Sequence, residues 1–220
     1  MNLRTPLLIS GILVLAMFLL GGYAWTQLPA GEQIPVHWNA AGEPDRYGGK
    51  FEGLMLMPVI AVGMLGLLAV IPRIDPKRMN IERSGKAYGW TMVGTTVFLT
   101  LLYVTTTLNT LGYDFELNRI LPVGMGVMFM ILGNYMGKIR QNYMFGIRTP
   151  WTIASELSWN KTHRVGGYLF FAFGLLFTLF GLVAGGSSTW IIPLIVGLLV
   201  LTFGLFAYSY VIWKNDPAVE

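Results

Sequence analysis

Six long apolar runs, each free of Asp, Glu, Lys, Arg and His, organise the chain: Leu7–Trp25, Gly53–Ile71, Tyr88–Leu111, Ile120–Met136, Gly166–Ala184 and Trp190–Trp213. A helix crosses the roughly 30 Å hydrocarbon layer with about 20 apolar residues. Each run is therefore read as a transmembrane helix, the fourth being the shortest. Barrel strands would instead alternate and run about 10 residues. The pattern predicts an all-α, polytopic membrane fold of six transmembrane helices. It divides the chain into a first helix (1–25), an outer loop module (26–52), helices two to four (53–136), an inner loop (137–165), and helices five and six with a short tail (166–220).

Composition sharpens this picture. Of the 220 residues, 54% are hydrophobic and 12% charged, with a mean hydropathy of +0.58. Soluble domains are about 25% charged, so a water-exposed surface is excluded. Disorder needs low hydrophobicity and high charge and is excluded too. The chain has no cysteine, which removes disulfides, thiolate nucleophiles, zinc–thiolate sites and iron–sulfur clusters. The net charge is +4. The basic residues sit between the apolar runs, which argues for a membrane protein and against direct nucleic-acid binding. Twelve of the 15 basic residues fall on the side of the N-terminus, so the positive-inside rule predicts N-in/C-in. Gly22-Tyr23-Ala24 resembles a signal-cleavage site, but the preceding apolar run is longer than a signal-peptide core. A retained first helix is expected.

No ionisable residue lies within these runs, whereas pumps, voltage sensors and intramembrane enzymes need them. We expect no enzyme, no cofactor and no metal. Thr91, Thr95, Thr96, Thr100, Thr105, Thr106, Thr107 and Thr110 crowd the third run. They read as helix–helix contacts or as the wall of a polar path, which leaves a small transporter or exporter as the alternative. Gly133/Gly137 and Gly181/Gly185 have the small-xxx-small spacing of close helix packing. Gly174/Gly181 and Gly197/Gly204 repeat at seven residues. Trp and Tyr residues near the run ends fit an aromatic belt. No internal repeat supports an inverted-repeat transporter.

The long loops carry the remaining chemistry. The outer one reads IPVHWNAAGEPDRYGGK over residues 34–50. Its prolines and glycines predict a structured loop, with a turn at Glu43-Pro44-Asp45-Arg46 and a short strand through Ile34, Val36 and Trp38. His37, Glu43 and Asp45 make too thin a set for a metal site. Trp38 and Tyr47, beside His37, Asn39, Gly42, Pro44 and Asp45, fit contacts to a peptide partner or an edge dipping into the bilayer.

The inner segment reads GNYMGKIRQNYMFGIRTPWTIASELSWNKTHRVGG over residues 133–167. Thr149-Pro150 signals a helix start, and a helix from Pro150 to about His163 is expected to lie in the interface. Two functions fit it: an anchor against lipid heads, or a docking surface for a cytosolic protein. The residues in question are Asn142, Tyr143, Gly146, Arg148, Thr149, Pro150, Trp151, Glu156, Trp159, Lys161, His163 and Arg164. The segment is neither a zinc-protease motif nor a phosphate-binding loop.

These two segments resemble the SdpI family, bacterial membrane proteins named after the immunity protein of the sporulation-delay toxin system. The outer one, with Leu28-Pro29, is similar to the family's N-terminal module of unassigned function. The inner one is similar to its C-terminal signature, except that Gln141 stands where a proline is expected before Asn142-Tyr143. The resemblance implies a multi-pass protein of the bacterial cytoplasmic (inner) membrane without known catalysis. It also implies protection against a secreted peptide toxin, and signalling through a cytosolic winged-helix repressor held at the membrane. By topology, the outer loop would meet the toxin and the inner loops the repressor.

Overall fold

The computed structural model describes residues 2–39, 41–183 and 188–219. Eight helices are described: α1 (Arg4–Gln27), α2 (Leu56–Ile74), α3 (Arg78–Arg83), α4 (Gly85–Thr110), α5 (Leu117–Met136), α6 (Pro150–Ala154), α7 (Glu156–Val183) and α8 (Ile191–Lys214). A π-helical turn, Phe51–Met55, runs straight into α2. Six segments are long and apolar enough to cross a membrane: α1, the π turn with α2, α4, α5, α7 and α8. The chain is a multi-pass helical membrane protein, as the six apolar runs require.

Apolar side chains face outward where lipid would lie. Leu8, Ile12, Leu15 and Leu19 make an exposed stripe on α1, and Ile192, Val196, Leu199 and Phe203 make one on α8. Their three- and four-residue spacing marks a single helix face. In water such stripes would aggregate.

Glycines fix the central pairing. α5 and α7 have the most extensive contact in the fold. A Cβ on Gly133 would stand 2.5 Å from the Phe171 backbone nitrogen, and one on Gly174 would stand 2.7 Å from that of Met130. Gly126, Gly167 and Gly181 are similarly closed off by backbone of the opposite helix. Small residues let the two backbones touch. Of the heptad glycines, Gly174 and Gly181 therefore line the α5/α7 seam, whereas Gly197 on α8 faces the Phe173 ring. Gly204 meets nothing, and Gly185 lies outside the described residues.

α1 packs on α4 in the same manner. A Cβ on Gly89 would meet Pro6, and Gly21 leaves room for the Tyr103 hydroxyl, which donates to the Leu54 carbonyl at 2.8 Å. Five of the eight threonines of α4 bond within their own helix. The hydroxyls of Thr96, Thr100, Thr105, Thr106 and Thr110 donate to the carbonyls four residues earlier. Threonines so engaged serve packing rather than a hydrated path.

Two local elements differ from expectation. The outer loop forms a two-stranded antiparallel hairpin, β1 (Ile34–Trp38) and β2 (Pro44–Gly48), with bulges around His37. The strand in Ile34–Trp38 is as expected, and β2 is additional. The inner helix expected from Pro150 to about His163 is not one interfacial element. It breaks at Ser155, whose backbone is extended, and α7 then continues unbroken from Glu156 into the membrane. The Ser155 Oγ accepts from the Ser158 N–H at 2.9 Å, capping α7 and starting a new helix axis.

Candidate functional site

The outer hairpin is pinned from below. Ile34 is buried against Ala24 and Leu54. Lys50 Nζ donates to the carbonyls of Trp25 and Leu28 at the end of α1, where a cation also suits the helix dipole. Glu52 receives Arg46 at 2.6 Å. The Asn39 Oδ1 accepts from the N–H groups of Ala41 (2.8 Å) and Glu43 (3.1 Å), which closes the turn. Gly42 sits there with φ +78° against Asn118, so only glycine fits without strain.

What the hairpin presents is polar and aromatic. His37 Nδ1 lies 2.6 Å from Asp45 Oδ1 on the exposed side. Tyr47 is 53% exposed, Trp38 is half-buried, and Pro44 is exposed. Among the described residues no group of three or more His, Asp or Glu converges as metal ligands. The whole set of outer candidates thus shares one hairpin, with His37, Pro44, Asp45 and Tyr47 exposed.

The inner segment is held by a web of hydrogen bonds. The Asn142 side chain donates to the Arg140 and Phe145 carbonyls and accepts from the Met144 and Phe145 N–H groups. It is 1% exposed. His163 is also buried. Its Nδ1–H donates to the Trp159 carbonyl, and its Nε2 accepts from the Ile147 N–H, each at 2.9 Å. These partners require the neutral ring with the proton on Nδ1. Gly146, at φ +115°, passes over that ring, and a Cβ there would stand 2.5 Å from Nε2. The Trp159 indole stacks on His163 with centroids 4.1 Å apart and donates to the Ile139 carbonyl at 2.8 Å.

The expected helix start holds. Thr149 caps α6, its Oγ1 accepting from the Thr152 N–H at 3.1 Å, and its hydroxyl bonds that of Ser209 on α8 at 2.9 Å. Trp151 packs against Phe206 and Tyr210, with centroids 4.6 and 5.1 Å away.

The inner candidates therefore separate by position. Asn142, Thr149, Trp159 and His163 are interior, and Trp151 is half-buried against α8. Tyr143, Gly146, Arg148, Pro150, Glu156, Lys161 and Arg164 are exposed. Arg148 reaches back to the Tyr143 carbonyl at 3.0 Å, and Lys77 lies 5.7 Å over the Tyr143 ring. Together these present a cationic, aromatic surface.

Groups outside the sequence motifs clamp this segment. Asp75 accepts from the Tyr143 N–H at 2.9 Å. Lys77 donates to the Gln141 side chain, and Asn80 donates to the Gln141 carbonyl at 2.8 Å. The Ser84 hydroxyl accepts from the Arg140 N–H at 2.8 Å. Gln141, standing where proline was expected, further donates to the Thr152 and Ile153 carbonyls at 2.9 Å. The Ser155 hydroxyl donates to Asp216 in the tail. That hydrogen bond, with a second from the Ala218 N–H, holds the Asp216 carboxyl below its ordinary range. The available signals were Asp75 directly before Pro76, and Ser209, a small polar residue within an apolar run.

Comparisons with known proteins match two separate stretches of the chain. Residues 138–209 match the SdpI/YfhL protein family. Residues 12–62, covering most of α1, the hairpin and the start of α2, match a domain of unknown function (DUF1648). The chain is 26% identical over 206 residues to the immunity protein SdpI of Bacillus subtilis (strain 168), covering 92% of this chain and 94% of that one. No solved structure matches.

Proposed function

The chain belongs to the SdpI/YfhL protein family, and from that premise we propose that it is a membrane immunity protein of the bacterial cytoplasmic membrane. It binds or neutralises a secreted antimicrobial peptide at the outer hairpin and signals to a cytosolic transcriptional repressor. The observation that carries the reading is the alignment with an immunity protein over nearly the full length of both chains. No chemical step is required of it.

The hairpin supports the first half of the reading. His37, Asp45 and Tyr47 are exposed on strands whose buried side is locked to α1 and the π turn. A rigid platform with an aromatic anchor is suited to a peptide. The inner surface around Lys77, Tyr143 and Arg148 supports the second half, since it offers cations and an aromatic ring to an acidic partner. α5 connects the two ends physically. It begins beside Gly42 and ends at the inner segment, packed along α7 throughout.

Expression in a toxin-sensitive host tests the reading. The wild-type chain should protect against at least one of a panel of secreted peptides. Tyr47→Ala combined with Trp38→Ala should lower protection while membrane levels stay constant. A photoreactive residue at Tyr47 should capture the peptide, and one at Arg148 should capture a DNA-binding protein. Absence of protection across the panel, with the protein verified in the membrane, would sink the proposal.

A further inference from the structure

At the end of the bundle that carries both termini, α1, the start of α4 and the end of α5 enclose a cleft of about 680 Å³. It takes no part in the hydrogen-bond web of the inner segment, except through Ser84 at its edge. Its walls are graded along the bundle axis. Arg83, Lys86 and Lys138 stand at the mouth, with Glu82 as the sole acid among the described lining residues. One to two turns deeper along α1 and α4 lie Ile9, Trp90 and Val93, with Pro6 between the levels.

The cations are available. Among the described residues none of Arg83, Lys86 and Lys138 makes an ion pair. All three are exposed. Lys86 and Trp90, four residues apart, share one side of α4, and Arg83, the last residue of α3, lines the same cleft. Lys138 is held 4.7 Å over the Tyr135 ring. Tyr135 in turn stacks on Trp90 with an interplanar angle of 12°. The aromatic pair thus fixes Lys138 beside the α4 cations. Close approach of Pro6 to Gly89 shapes the floor.

We propose that this cleft binds an anionic phospholipid. Its phosphate-bearing headgroup sits among Arg83, Lys86 and Lys138, and the upper part of one acyl chain lies along Ile9 and Val93. Two features choose a lipid over a soluble anion or an acidic protein. The cations give way to apolar wall in the direction of the bilayer, which is the order of groups within a phospholipid. The Trp90–Tyr135 pair lies at the boundary, where amphipathic rings favour the headgroup level. Basic pockets between transmembrane helices on the positively charged side of a membrane protein are suited to such headgroups. The proposal does not depend on the immunity reading, since it concerns a different surface.

Native mass spectrometry of the full chain, released from nanodiscs containing phosphatidylcholine and phosphatidylglycerol, tests it. The wild-type chain should retain phosphatidylglycerol over phosphatidylcholine by about tenfold or more. The variant Arg83→Gln/Lys86→Gln/Lys138→Gln should lose most of that preference. Arg78→Gln/Arg140→Gln/Lys214→Gln, which removes equal charge at the same end outside the cleft, should keep it. Ile9→Trp, which fills the apolar wall without altering charge, should lower retention as well. Equal retention by the folded cleft variant and the wild type would overturn the proposal. So would equal loss in the two triple variants, which would mean diffuse attraction. Displacement by inorganic phosphate together with indifference to Ile9→Trp would also overturn it, because it would leave an anion site without a lipid.

Discussion

At the residue scale, the inner segment shows how a long polar loop is made rigid without secondary structure. Asn142 satisfies four backbone groups at once, two donors and two acceptors. Its replacement by alanine leaves those part-buried groups without this partner, and each such loss costs up to about 1–3 kcal/mol before relaxation and rehydration. We expect Asn142→Ala to destabilise the protein by about 2–4 kcal/mol in total, read as a drop in melting temperature in detergent. Tyr143→Ala, one residue on and exposed, should leave that temperature nearly unchanged. The contrast was not legible in the sequence. Asn142, Trp159 and His163 sit among Lys and Arg and have the composition of an exposed contact surface. Trp159 and His163 find partners far along the chain, Ile139 and Ile147, which no local pattern reveals, whereas Asn142 bonds backbone within three residues, in a turn without regular structure.

At the scale of elements, legibility tracked how local the cause was. The six spans were plain because apolar length alone produces them. The cap at Thr149 was plain because threonine–proline acts within one turn. Strand β2 was hidden because PDRYG lacks apolar alternation; its pairing comes from β1 and the turn at Asn39 and Gly42. The break at Ser155 was hidden because the Pro150–His163 stretch reads as one amphipathic helix, although a serine followed by Glu156 is a helix-start signal. Gly133→Val would push a branched side chain into the backbone of α7 at Phe171. It should destabilise by at least about 3 kcal/mol and abolish stable accumulation in the membrane, whereas Gly63→Ala, with nothing within 4 Å, should be tolerated. The corner at Ser155 should respond to pH through Asp216. The carboxyl is held below its ordinary value of 3.8 in the folded chain. Its stabilising contribution is therefore full above that value and is lost as pH falls through the lower, folded one. Ser155→Ala should lower the melting temperature at pH 7, and the difference from wild type should shrink on acidification below pH 3.8.

At the scale of the whole molecule, the fold separates two surfaces by the thickness of a membrane and joins them through α5 and α7. Which surface faces outward rests on charge alone: three basic residues border the hairpin side, and twelve border the other. The positive-inside bias orients membrane proteins by the Lys and Arg of short loops, with little contribution from acids. The connections here are short enough to obey it. The absence of cysteine allows a direct test with single introduced thiols. Tyr47→Cys and Arg148→Cys both replace exposed side chains on opposite ends of the bundle. In intact cells an impermeant maleimide should label Tyr47→Cys within minutes and leave Arg148→Cys unlabelled until the membrane is opened. The reverse pattern would place the hairpin in the cytoplasm, out of reach of a secreted peptide, and the surface around Arg148 outside, out of reach of a repressor. A single inverted result would thus remove both halves of the immunity mechanism while leaving the helical fold intact, since packing at the α5/α7 seam is indifferent to which end faces the cell.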